Sequence, residues 1–365
     1  MNKLKLVDIS DIQAGPFGTQ LHKSDYVSKG IPMLNSKNIG SGIISIESLD
    51  FVPQSVCMKL PRYILKTGDI VFGRAGTIDR HAYIDKEYNG CFQGTNCIRI
   101  RCNEKKYALY LYYYLWLPTL KETIENSAGG SMQSYITSDI LKNISIKIPE
   151  DYQKIANILY LIDTKIGINK QLNDNLAAMI KTIYIHEFFR RESNGTLGDI
   201  ISEEKKSTIQ VGTAKDLNGE YPFFTSGDAV LSCDKPLVNN RICLLNTGGN
   251  ADVKFYVGPA SYSTDTWCIT GTDGLSDYLF TLLYSIKQEL NLKFFLGTGL
   301  KHLQKPLLKN RPIYVPNEIE LKTFNSIAMP AYTTISSNQR ENRALSSLRD
   351  WLLPMLMNGQ ATIED

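Results

Sequence analysis

The sequence predicts an α+β fold built as two copies of one unit. Each copy is a mixed α/β domain followed by a long helix, and the two helices pair as an antiparallel coiled coil with internal pseudo-two-fold symmetry. Three observations carry this. The phrase "LKNISIKIP" at 141–149 returns as "LKNRPIYVP" at 308–316. Each phrase is followed by a segment with a helical seam, and the segments ahead of the phrases echo one another. The boundaries that result are a first domain at 1–150, a first spacer helix at 151–192, a second domain at 193–316 and a second spacer helix at 317–365.

The seam sets the helices. Ile155, Leu159, Ile162, Ile166, Asn169, Asn173, Leu176, Ile180 and Ile183 are spaced alternately by four and three, the 3.5-residue period of a left-handed coiled coil. Adding 169 to each number gives Phe324, Ala328, Ala331, Ile335, Asn338, Asn342, Leu345, Arg349 and Leu352. Both asparagines recur at the same two places. A polar residue in a seam costs stability but penalises slipped pairings, so Asn169, Asn173, Asn338 and Asn342 read as a register device. Pro330 falls in early turns, where a kink is tolerated, and Pro354 is expected to bend or end the last turn.

The domains repeat at lower resolution. "KLVDI" (5–9) pairs with "TLGDI" (196–200), and "GTNCIRI" (94–100) with "DTWCITG" (265–271). "GDIVFGRAGTIDRHAYI" (68–84) and "NRICLLNTGGNADVKFYV" (240–257) each carry an apolar strand into a Gly-containing turn and a second strand, a hairpin. A helix follows in each copy (107–125, 275–291), then a Gly-bearing loop and the repeated strand.

Composition narrows the class. With 43% hydrophobic and 21% charged residues, the chain is neither disordered nor fibrous. It has no apolar run long enough to span a membrane, and "MNKLKLVDISDIQ" lacks the apolar core of a signal peptide. Seven cysteines without paired spacing are expected to be reduced thiols in a cytoplasm. The net charge of +3 is weak for a lone nucleic-acid binder, which draws most of its affinity from phosphate neutralisation.

Catalytic motifs are missing from the sequence. It has no Pro-Pro pair of the kind that holds an extruded base in amino-methyltransferases, no P-loop and no His-Glu-x-x-His. Asp199, Glu204 and Lys206 in "GDIISEEKK" have the types of a nuclease cluster, but clustered charges of this kind are ordinarily a solvated loop.

The layout resembles the DNA-specificity subunit of type I restriction–modification systems, over essentially the whole chain. The residues that carry it are "GPFGTQL" (15–21), "GIPML" (30–34), "LKTGDIVFGRAGTI" (65–78), "LKNISIKIP" with "QKIANIL", and in the second half "YPFFTSGD" (221–228), "TGGN" (247–250) and "NQRENRALSSLRDWLLPMLMNGQ" (338–360). The resemblance implies two target-recognition domains, each reading half of a split site in double-stranded DNA. It implies helices that set the spacing and bind two methyltransferase (modification) subunits, with an ATP-dependent restriction subunit joining through the complex. It implies no cofactor in this chain, with S-adenosylmethionine, ATP and Mg on the partner subunits. Two other readings stand beside it: a protein-interaction adaptor, and a nuclease or methyltransferase with duplicated domains.

Sequence is read at base edges by Arg, Asn, Gln and acidic groups, with Lys and Arg on phosphates. In the first domain such residues gather on predicted loops: Asn35, Ser36, Lys37 and Asn38; Arg74, Thr77, Asp79 and Arg80; Gln93, Thr95 and Asn96; Gln133, Ser134 and Tyr135. In the second domain they are Thr225 and Ser226; Asn246, Asn250 and Lys254; Tyr262, Ser263, Thr264 and Asp265; Lys301 and His302. Polar residues also populate turns for backbone reasons alone.

Overall fold

The computed structural model describes the chain except residues 1–2, 75–79, 128–134, 216–218 and 364–365. It divides into two compact units, one of residues 1–164 with 345–365 and the other of residues 165–344. Each unit therefore takes a domain together with part of both long helices, which differs from the four-segment division drawn from the sequence. The reason lies in the cores. Ile155, Ala156, Leu159, Leu353, Leu356 and Met357 of the helices are buried in the core of the first domain. Ile180, Tyr184, Phe324, Ala328, Ala331 and Tyr332 are buried in that of the second. A two-residue seam alone is a narrow apolar face, and packing against a domain widens it.

The first unit contains β1 (Lys3–Lys5), β2 (Ser10–Ala14), β3 (Ile31–Leu34), β4 (Asp50–Val52), β5 (Ile70–Gly73), β6 (His81–Tyr83), β7 (Phe92–Gln93), β8 (Cys97–Cys102) and β9 (Ser145–Lys147). Its main sheet runs β2-β8-β5-β6, beside a smaller sheet β4-β3-β7 and the pair β1-β9. The second unit contains β10 (Gly195–Thr196), β11 (Ile201–Glu203), β12 (Tyr221–Phe224), β13 (Val230–Cys233), β14 (Val238–Asn246), β15 (Val253–Tyr262), β16 (Thr266–Gly271), β17 (Phe295–Leu296), β18 (His302–Leu303) and β19 (Pro312–Ile313). Its main sheet runs β11-β16-β14-β15-β12-β13, so the order of the first unit is repeated and then extended. Both expected hairpins are present, with Phe72 opposite His81 and Leu245 opposite Val253.

The repeated phrase closes each domain onto its own beginning. β9 pairs with β1 and β19 with β10, all antiparallel. The same backbone bond locks both copies: Leu6 N–H donates to Ile144 C=O at 2.9 Å, and Leu197 N–H to Arg311 C=O at 2.9 Å. "KLVDI" and "TLGDI" share a second device, because Asp8 accepts from Lys5 N–H (2.9 Å) and Asp199 from Thr196 N–H (2.7 Å). Those hydrogen bonds make Asp199 the cap of its turn and hold its carboxyl below its usual range.

One difference between the copies was hidden in the sequence. β15 is a single ten-residue strand, whereas the first unit breaks the corresponding stretch into β6 and β7. The charged turn between them is bonded internally, with Glu87 N–H donating to Asp85 at 2.8 Å, and it ends at Gly90 with φ +93°. That conformation favours glycine, and it turns the chain into β7.

The long helices span Tyr152–Glu187 and Glu318–Met357. All eighteen predicted seam positions are buried or half-buried, while Leu161, Ile168, Leu172 and Met179 on other faces are exposed. In the second unit the Asn169 amide donates to Asn342 (2.9 Å) and Glu341 (2.7 Å), and Asn338 donates to Asn173 (2.8 Å). Partner numbers fall as the others rise, so the helices run antiparallel there. In the first unit Asp163 accepts from Arg349 (2.8 Å) and from Tyr113 O–H (2.9 Å), pinning both helices to the helix Ala108–Tyr114. Pro354 does not end the second helix, which continues to Met357, with Asn358 N–H bonded to the Pro354 carbonyl at 3.0 Å.

Asn169 is 2% exposed, so removing its amide leaves the Asn342 carbonyl without its donor. Asn169→Ala is expected to cost about 1–3 kcal/mol. In a double-mutant cycle, Asn169→Ala and Asn342→Ala should couple by at least about 0.5 kcal/mol in urea unfolding. Strict additivity would mean that the pair contributes nothing as a pair.

Candidate nucleic-acid interface

Backbone hydrogen bonds bring the predicted loops together, and they do so identically in the two units. In the first, Arg74 N–H donates to Asn96 C=O (2.8 Å), Ile136 N–H to Arg74 C=O (2.9 Å) and Gly94 N–H to Leu34 C=O (2.9 Å). In the second, Thr247 N–H donates to Asp265 C=O (3.0 Å), Leu303 N–H to Thr247 C=O (3.0 Å) and Ser263 N–H to Phe224 C=O (2.9 Å). Four loops thus converge at equivalent places. They start at Asn35, Arg74, Gln93 and Tyr135 in one copy, and at Thr225, Thr247, Tyr262 and Lys301 in the other.

These bonds also correct one sequence pairing. They place Asn96 where Asp265 stands, and strand registers then put Arg99 at the place of Cys268, not Cys97. The shared cysteine letter had shifted the match by two residues.

Six predicted readers leave the surface set, because their polar atoms hold the loops from inside. Asn38 is fully buried and its amide donates to Ser45 C=O (3.1 Å) and Glu47 C=O (3.3 Å). Gln93 is equally buried and donates to Gln13 C=O (2.9 Å) and Cys97 C=O (3.2 Å). The Thr225 hydroxyl donates to Ala229 C=O at 2.7 Å, and Asn246 braces its turn by donating to Gly248 C=O at 2.7 Å. Buried Ser263 bonds Thr266 (2.9 Å), and buried Tyr262 donates its hydroxyl to Lys205 C=O. Buried donors find partners, and here backbone carbonyls supply five of them and the Thr266 hydroxyl the sixth, while Gln93 Oε1 is left without a donor.

The rest remain at the surface or at its edge. Ser36, Lys37, Arg80, Thr95, Asn96 and Tyr135 do so in the first unit, with Lys37 in an ion pair to Asp50 (2.9 Å). Asn35 is half-buried and also donates to Asp50 (2.9 Å). Arg74 lies over the exposed Phe17 ring, 5.4 Å from its centroid. In the second unit, Ser226, Asn250, Thr264, Asp265, Lys301 and His302 are exposed or half-exposed. Lys254 is tied to Thr225 C=O (3.1 Å) and paired with Asp252 (3.4 Å), so it braces the loop as much as it faces solvent. Thr77, Asp79, Gln133 and Ser134 lie outside the described residues.

Burial governs the thiols. All seven cysteines are free and buried, and burial pushes Cys268 up to about 12, so it stays protonated. Glu204 accepts from Asn240 (3.3 Å), and among the described residues no group of acidic, His or Cys side chains is arranged to hold a metal ion. No helix among them is long and apolar enough to cross a membrane.

A domain carried twice, each copy presenting the same loops with different side chains, is the layout of a two-module recognition protein. Residues 1–178 and 193–343 match the family described as "Type I restriction modification DNA specificity domain", and the chain belongs to that family. It is accordingly a specificity subunit, the non-catalytic component of such systems. Two relatives come from Methanocaldococcus jannaschii. The type I restriction enzyme MjaIX specificity subunit is 24% identical over 70% of this chain and 69% of its own length. The MjaVIII specificity subunit is 28% identical over 49% of this chain and 43% of its own. The crystal structure of the type I restriction–modification S subunit from M. genitalium shares the fold, with a TM-score of 0.64 at 16% identity over 96% of this chain and 94% of that one.

Proposed function

We propose that the chain reads a bipartite, asymmetric site in double-stranded DNA, one half-site per unit, and carries two methyltransferase subunits. The observation behind this reading is the pair of equivalent loop clusters with unlike side chains. Arg74 and Asn96 occupy the places of Thr247 and Asp265. Equal scaffolds with unequal donors and acceptors suit two different half-sites. Methylation and cleavage chemistry, with S-adenosylmethionine, ATP and Mg, belongs to the partner subunits in this reading. The restriction subunit joins through the complex, and assembly takes place in the cytoplasm, where the thiols stay reduced.

Two features support a partnered mode of binding. The net charge of +3 is small for a chain that grips DNA alone. Ile168, Leu172 and Met179 leave an exposed apolar row on the first long helix, suited to a partner surface. Selection from a random duplex library tests the reading, with the chain alone and with its cognate methyltransferase. A split motif with a fixed gap is expected when both are present and much weaker without the methyltransferase. Absence of any enriched motif in either arm would favour an adaptor that binds only proteins.

A further inference from the structure

A cleft of about 360 Å³ in the first unit, lined by Gln13, Phe17, Thr19, Gln20, Arg62 and Tyr63 among others, was not among the loops picked from the sequence. It is formed by the "GPFGTQ" stretch after β2 and the turn at 61–63. The stretch is clamped to the loop cluster: Gly15 N–H donates to Cys97 C=O (2.8 Å), and a Cβ on Gly15 would meet Gly94 O at 2.0 Å. Only glycine allows that approach.

The packing beneath Gln13, which lines the cleft, is built at a cost. The Arg99 side chain is 2% exposed and pairs with Asp11, while donating to Arg62 C=O at 3.2 Å. A buried guanidinium is expensive unless fully bonded, yet its Nε has no partner. Arg99 also donates to Gln13 Oε1 (3.1 Å), which fixes the amide orientation and leaves Gln13 Nε2, equally buried, without an acceptor. Beneath the cleft, Arg99 Nε and Gln13 Nε2 have no acceptor, and the neighbouring buried Gln93 Oε1, whose amide donates to Gln13 C=O, has no donor. The corresponding places in the second unit hold Glu204 and Cys268, an acceptor and a thiol, so the two copies differ in chemical sign here.

The walls carry groups that read bases. Tyr63 O–H donates to Gln20 Oε1 (2.8 Å), which leaves the Gln20 NH₂ for a ligand. Arg62 lies 4.8 Å from the Tyr63 ring centroid and donates to its hydroxyl at 2.8 Å. Phe17 is 56% exposed under Arg74. A guanidinium matches guanine O6 and N7, an amide matches adenine, and an aromatic face suits the thymine methyl.

The geometry points to this cleft as the base-reading centre of the first unit, with Arg62 and Gln20 contacting base edges and Phe17 packing on a base. The inference rests on the DNA-reading proposal above. It is tested in the complete complex with the methyltransferase, by mapping methylated sites for Gln20→Ala, Phe17→Ala and Arg62→Lys. The last variant keeps the charge and loses the two-pronged donor geometry.

Each substitution is expected to relax one or two positions of one half-site, with discrimination falling roughly 5- to 150-fold, and to leave the other half-site intact. An unchanged motif would overturn the inference, and so would uniformly weaker methylation at an unchanged motif, which marks phosphate contact or misfolding. If the unsubstituted chain directs no motif at all, it is the DNA-reading proposal that fails.

Discussion

Arg241→Ala is expected to destabilise the second unit by about 3–5 kcal/mol in denaturant unfolding, the cost of leaving a buried carboxylate unpaired. Asp277 is 1% exposed at its side chain and accepts both prongs of Arg241, at 2.6 and 2.5 Å. The same guanidinium donates to Thr333 Oγ1 and to Met329 C=O, both at 3.0 Å. One arginine thus joins β14, the helix Ser276–Ser285 and the second long helix. Burial pushes the Asp277 carboxyl up even with Arg241 pulling it back.

In the alanine variant the pull is gone, and the folded value rises further above the unfolded one of about 4. Stability is then lost as pH rises from the unfolded value through the folded one, and the full deficit is present above both. The variant should therefore approach the unsubstituted protein as pH falls toward about 4. Replacing both partners by apolar residues of similar volume should recover much of the loss. A deficit independent of pH would mean that the carboxylate is not the group left stranded.

What was legible in the sequence is what periodicity and repetition encode. The seam was legible because burial on a helix repeats with fixed spacing, and the asparagines at 169, 173, 338 and 342 stood out against it. The closing phrase was legible because one strand pairing must be made twice. The alignment of strands was not: cysteine letters at 97 and 268 matched, but strand register, fixed by the capped turns at Asp8 and Asp199, places Arg99 at Cys268. Nor could a polar turn residue that reads DNA be told from one that braces its own loop. Asn38 and Asn246 have the same chemistry as Asn96 and Asn250, and only burial separates them. The burial of Arg99 beside Gln13 was hidden too, since Arg99 and Arg101 alternate with isoleucines and so read as the polar face of a strand, although Arg99 is buried.

On the proposed function, this chain and not its partner chooses the site. Genome-wide methylation mapping tests it most directly, in cells making the cognate methyltransferase with the chain and in matched cells without it. Its effect should be close to all-or-none, because specific recognition is typically 10³–10⁷ tighter than non-specific binding. A two-part motif, with unlike halves and a fixed unspecified gap, is expected only when the chain is made. An identical methylation pattern with and without the chain, in cells whose methyltransferase is active, would contradict it.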